Sequence, residues 1–308
     1  MMQRLAAFAM SARWRAVAIA ALTAALAVLV PPLSSPLAYV GAAVVGLVTL
    51  RLGALEGLGV LLAGALALAV LGLPAGGMSV PLVISAALLW LPVWVLALLL
   101  RNSRSLALML QTAAVLGMLL VVVAHAWLGD PPLWWAQRLE AVLEPVFAEH
   151  GLDAAPYIPD LARWMTALSV AALIFGVLLS MLLARAWQAG LYNPGGFGAE
   201  FRALRLGRRF ALASLLIALL AALPDLGAVA GIAGDALFTL LLVYLLQGLA
   251  LVHALVQARM HRVQLQRGWL IGMYVLLLVA APQVVPLLAL LGWMDAWIDI
   301  RTRLPRRD

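Results

Sequence analysis

Two carboxylates stand one helical turn apart near the end of the chain, Asp295 and Asp299 in LGWMDAWIDIRTR, with Trp293 and Trp297 on a neighbouring stripe. Carboxylates at that spacing can ligate one metal ion or share a proton. Asp299 also has Arg303 four residues on, and in a juxtamembrane helix of alternating charge ion pairing is the commoner outcome. The second chemically distinctive segment is RAWQAGLYNPGGFGAEFRALRLGRR, Arg185 to Arg209. Its Asn193-Pro194-Gly195-Gly196 is turn chemistry, proline presetting φ and glycine supplying positive φ. Beyond the turn, AEFRALRLGRRF reads as an amphipathic helix with Arg202, Arg205 and Arg209 on one face and Phe201 and Leu204 turned toward lipid or a neighbouring helix. The ordinary reading of such a segment is a topological stop with an interfacial helix. The functional one is a docking surface for an anionic ligand or an acidic partner, built from Trp187, Asn193, Pro194, Gly195, Gly196, Phe197, Glu200, Arg202 and Arg205, with Asp295, Asp299 and Arg301 joining them. If both segments are cytoplasmic, Asp295 or Asp299 is expected to pair with an arginine of Arg185–Arg209.

Other chemistries find little material. Cysteine is absent, which removes disulfides, iron–sulfur clusters and thiolate zinc sites. The four histidines are scattered, with His125 and His253 near opposite ends of their apolar runs. Neither a metal site nor a cofactor is expected. The paired glycines lack a Walker pattern. No nucleophile, base and oxyanion donor can be assembled, so the chain does not read as an enzyme. Polar groups inside the apolar runs are few, chiefly Gln111, Ser169, Ser180, Tyr244, Gln247 and Gln283. Tyr244 and Gln247 share one helix face, where an amide normally bonds a neighbouring helix. The absence of an acidic or histidine chain disfavours an ion-coupled pump.

These residues must be positioned by a bilayer-embedded scaffold. Hydrophobic residues make up 66% of 308 and charged ones 11%, and the mean hydropathy is +1.08, which leaves no room for a sizeable soluble domain. The expectation is an all-α polytopic bundle of about 8–10 spans, forming one integral domain over residues 1–308. The apolar runs are Trp14–Val30, Leu37–Leu50, Leu55–Leu73, Val80–Leu100, Leu106–Trp127, Leu161–Ala184, Phe210–Leu223 and Ala236–Ala258, then a stretch from Trp269 to Trp297. They are continuous and lack the alternation of a lipid-facing β-barrel. The first is a retained anchor, since another span follows at once.

All twenty basic residues are arginine. With the N-terminus cytoplasmic, fourteen of them between Arg4 and Arg267 fall inside and only Arg138 and Arg163 outside, a strong positive-inside asymmetry. A pI near 10.9 then reflects topology and anionic lipid, and no nucleic acid is expected as a partner. A break at Pro282 would make Trp269–Trp297 a short hairpin and return the C-terminus to the cytoplasm with Arg301, Arg303, Arg306 and Arg307.

The loop 129–160 would be external, with an interfacial helix anchored by Trp134 and Trp135 that could act as a lid. The segment 185–209 would be the cytoplasmic arginine-rich loop. Ala16, Ala20 and Ala24 at four-residue spacing, Ala21 with Ala25, and Gly53 with Gly57 favour close helix packing.

The run ARAWQAGLYNPGGFGAEFRALRLG, the Gln247-Gly248 pair and the ending LLGWMDAWIDIRTR resemble the YybS-like bacterial membrane proteins, a domain of unknown function. The resemblance covers nearly the whole chain and implies a multi-pass inner-membrane protein without a defined reaction. The first half is also distantly similar to substrate-binding S components of energy-coupling-factor transporters, whose helix-docking motif the spacing of Ala20 and Ala24 resembles. Two functions follow as expectations. One is a small-molecule binding or transport component with a site among the outer halves of the early spans. The other is a membrane scaffold or regulator that docks a cytoplasmic or envelope partner through the NPGGF loop and the C-terminal helix.

Overall fold

The computed structural model of the chain describes residues 2–29, 34–73, 79–260 and 262–303. Among them are thirteen α-helices and no strand: α1 (Met2–Met10), α2 (Arg13–Leu29), α3 (Ser34–Leu52), α4 (Ala54–Gly72), α5 (Ser79–Ser103), α6 (Leu106–Leu128), α7 (Pro131–Glu149), α8 (Ile158–Tyr192), α9 (Gly196–Arg202), α10 (Arg208–Ala221), α11 (Ala228–Arg259), α12 (Val263–Val279) and α13 (Ala281–Ile298). Seven of these are long and apolar enough to cross a bilayer: α3, α4, α5, α6, α8, α11 and α13. The chain is a membrane-embedded helical protein. The eight to ten expected spans exceed this set because α2, α10 and α12 are short. At 17, 14 and 17 residues they extend about 26, 21 and 26 Å, against a hydrocarbon core of about 30 Å.

The chain divides into two compact units, Met1–Ala113 with Phe175–Leu204, and Ala114–Ile174 with Arg205–Asp308. In the first, α3 is the axis: every residue from Gly41 to Leu50 is buried. Such a helix must be small wherever its neighbours cross. A Cβ on Gly41 would sit 3.1 Å from the Ala20 carbonyl oxygen, and one on Gly46 3.1 Å from Ala184 and Val93. Ala16, Ala20 and Ala21 of the expected small-residue stripe are buried in this packing.

In the second unit α11 holds the same position, with almost all of Thr239–Val252 buried. It is crossed closely by α13, where a Cβ on Gly248 would collide with the Leu288 carbonyl oxygen and one on Gly292 with the Tyr244 carbonyl. Only glycine permits that approach. The apolar C-terminal stretch breaks at Ala280, two residues before Pro282, which sits in the first turn of α13 where its missing N–H is not needed.

The segment 129–160 contains the expected surface helix, α7, with most of its residues exposed. Asp130 caps it by accepting from the Leu133 N–H at 3.0 Å. Trp135 Nε1 donates to Thr166 Oγ1 at 3.0 Å, while Arg138 lies 3.3 Å over the Trp134 ring.

Candidate functional site

At one end of the first unit the C-termini of α3, α5 and α8 meet around a cavity of about 400 Å³. The last carbonyls of a helix have no partner within it and carry the negative end of its dipole. Here side chains supply the missing donors. The Leu50 carbonyl of α3 accepts from Arg101 Nη1 of α5 at 2.7 Å and from Gln188 Nε2 of α8 at 3.3 Å. Arg51, one residue on, lays its guanidinium 4.0 Å over the Tyr192 ring at the end of α8. Arg104 follows α5 in a left-handed conformation, φ 53°. Arg185 bonds Gln188 at 3.3 Å and pairs with Glu200 of α9 at 2.7 Å.

The Asn193–Gly196 turn makes that last pair possible. The Gly196 N–H donates to the Asn193 carbonyl at 3.0 Å, Gly195 takes φ 86°, and α9 runs back with Glu200 facing Arg185. Tyr192, Asn193 and Glu200 thus line the cavity together with Arg51, Arg101, Arg104 and Arg185. Pro194 and Gly195 are exposed on the turn, whereas Trp187 is buried. Phe197 packs against Phe201 with ring centroids 5.9 Å apart.

The amphipathic exit helix stops early. α9 ends at Arg202, Leu204–Gly207 leave helical structure, and α10 starts at Arg208. Arg202, Arg205 and Arg209 therefore do not share one helix face. The physical cause is tertiary: the buried Gln247 side chain captures the Leu206 N–H through Oε1 at 2.9 Å, and Gly207 turns the chain at φ 80°. Leu204 is buried.

The residues expected to form one docking face divide between the units, with Trp187 through Arg202 in the first and Arg205, Asp295, Asp299 and Arg301 in the second. In the second unit the two carboxylates are separately paired. Asp299 Oδ2 meets Arg205 Nη1 at 2.8 Å, the pairing expected between the C-terminal helix and the arginine-rich segment. Asp295 Oδ2 meets Arg301 Nε at 3.2 Å, and its Oδ1 accepts from the Ile300 N–H at 3.2 Å. Burial lowers the Arg301 pKa while Asp295 pulls it back up. The side chain of Arg303 lies outside the described residues. Arg208 Nη2 donates to the Trp297 carbonyl at 3.1 Å, further tying α13 to the start of α10.

The intramembrane polar pair acts between helices. Tyr244 shares a 3.0 Å hydrogen bond with Ser214 of α10, which also accepts from Trp293 Nε1 at 3.2 Å. Gln247 Nε2 donates to the Gly292 carbonyl at 2.7 Å.

Two constellations escaped the sequence reading. In the sequence Arg51 ends one span while Arg101 and Arg104 follow another, and the one signal they share is that the arginine count places all three on the same side as Arg185. His125 of α6 and Asp235 of α11 form a largely buried pair at 2.8 Å. Asp235 lies inside α11, not at the loop border where the apolar runs put it. Among the described residues no group of three or more histidines or carboxylates could hold a metal.

A second cavity of about 270 Å³ lies toward the opposite end of α3 and α5, lined by residues that include Ser35, Tyr39, Ser85 and Trp90. Comparison of the chain with protein-family models, curated proteins and solved structures finds no match.

Proposed function

We propose that this chain is a multi-pass protein of the bacterial inner membrane, of the YybS-like kind, that binds a small molecule as a non-catalytic binding or transport component. One observation carries the reading: the same helix pair, α3 and α5, frames a cavity at each of its ends, about 270 Å³ at Ser35 and Ser85 and about 400 Å³ at Arg51 and Arg101. Such volumes fit the range of small-molecule sites, about 300–1,000 Å³, and its lower margin. The first cavity falls in the half of the early spans that the topology assigns to the outside. The arginine-lined one falls in the half assigned to the cytoplasm, with both termini on that side.

The test is native mass spectrometry of the tagged chain purified from its own membranes, beside a Ser85→Trp variant that fills the smaller cavity. A co-purifying metabolite or an energising ATPase supports a transport component, and loss of the metabolite in Ser85→Trp places it in that cavity. Recovery of envelope or cytoplasmic proteins with no small molecule refutes the reading. It would favour instead a scaffold docking through the exposed Asn193–Gly195 turn and the C-terminal helix.

A further inference from the structure

We propose that the arginine-lined cavity is a binding site for a phosphate group, an inference that rests on the small-molecule reading above. Four guanidinium groups, Arg51, Arg101, Arg104 and Arg185, border one space with a single carboxylate, Glu200. Arginines at helix C-termini are often explained by the dipole they neutralise or by an ion pair, and protein partners of either kind account for two of the four. Arg101 is engaged by the Leu50 carbonyl and Arg185 by Glu200, at 2.7 Å each. Arg51 and Arg104 are in no ion pair among the described residues.

Arg51 is held in place by the Tyr192 ring, which fixes the guanidinium while leaving its N–H edge available. Arg104 occupies a left-handed backbone position that glycine or asparagine would fill at less cost. Glu200 does not oppose an anion strongly, because Arg185 already neutralises it. Planar forks of N–H donors around a water-accessible hollow are the arrangement that recognises phosphate oxygens in pairs. Asn193 adds a neutral amide to the rim.

The chemistry is shared by a soluble phosphate compound and by the headgroup of an anionic phospholipid, and the experiment separates them. Full-length chain in neutral detergent is titrated with labelled inorganic phosphate at constant ionic strength, and its thermal midpoint is compared in nanodiscs of phosphatidylcholine with and without phosphatidylglycerol. Arg51→Gln/Arg104→Gln is measured alongside. Arg104→Gln alone serves if the double variant loses helical signal.

The expected result is saturable phosphate binding, weakened at least tenfold in the variant, or a phosphatidylglycerol-specific rise in midpoint that the variant loses. The first assigns a soluble ligand and the second a lipid headgroup. Equal behaviour of wild type and variant in both arms, or an equal effect of chloride, overturns the proposal. Native mass spectrometry of the same samples separates the two levels. A phosphate-free molecule retained by both proteins sinks the phosphate assignment and keeps the binding component, whereas no bound molecule and no phosphate response sink both.

Discussion

The side-chain amide of Gln247 donates to the carbonyl oxygen of Gly292 at 2.7 Å while its own oxygen accepts from the Leu206 N–H at 2.9 Å. One fully buried side chain thus joins α11 to α13 and to the chain entering α10. Gln247→Leu keeps the volume and strands the Leu206 N–H, which lies outside any helix, at about 1–3 kcal/mol, and it removes the second bond to the Gly292 carbonyl. The expected outcome is a clear fall in the thermal unfolding midpoint in detergent. A midpoint equal to wild type would mean that the amide does not hold these segments together.

Next to that amide, Gly248→Ala should be among the most damaging single-methyl additions in the second unit, because the new Cβ has the Leu288 backbone in its way and backbone cannot swing aside. Gly272→Ala is the matched control, since nothing lies within 4 Å of a Cβ there. The control is expected to be neutral or slightly stabilising, as alanine outranks glycine in a helix by about 1 kcal/mol. Comparable losses in both would count against a close α11–α13 crossing.

The two C-terminal carboxylates should differ in weight. Asp299 and Arg205 have side chains 39% and 47% exposed, so Asp299→Ala is expected to cost no more than about 1 kcal/mol. Asp295 and Arg301 are at 1% and 7%, and removing the aspartate leaves a buried guanidinium without its carboxylate, at about 3–5 kcal/mol. Chemical denaturation of Asp295→Asn and Asp299→Ala reads the contrast directly. The opposite order would place the buried charge elsewhere.

For His125 and Asp235, a double-mutant cycle is the measurement. His125→Leu alone strands a carboxylate between α6 and α11, where an unpaired charge is costly. Adding Asp235→Leu is expected to recover most of the lost stability, giving a coupling of more than about 1 kcal/mol. Additive losses would mean that the pair has no energetic role.

Glu200→Gln tests the electrostatics of the basic cavity from the opposite direction. It removes the single carboxylate on the rim and frees Arg185, so phosphate should bind more tightly, by a factor of a few, with the salt dependence steepened. Weaker binding would show that Glu200 positions Arg185 more than it opposes the anion.

Helix formation was legible in the order of residues, down to α7 and the break near Pro282, because each signal is local: apolar run, cap, turn residue. The Arg205–Asp299 pair was anticipated because two loops assigned to one side of the membrane can find each other. The end of α9 at Arg202 was not legible. The competing partner for the Leu206 N–H is Gln247, 41 residues away, and no periodicity in AEFRALRLGRRF reports it. Nor could spacing foresee that Arg51, Arg101 and Arg185 share one cavity, since each belongs to a different helix.

The sequence by itself determined that this is a helical membrane protein, because long apolar runs in a bilayer must satisfy every backbone group internally and only helices do so within one segment. Only the tertiary structure decided which polar groups meet. Those meetings, from Gln247 with Gly292 and His125 with Asp235 to the four arginines around one hollow, depend on how each helix is rotated and where it crosses its neighbours. Packing against small residues such as Gly46 and Gly248 sets that rotation and crossing, and the pattern of any single helix does not encode it.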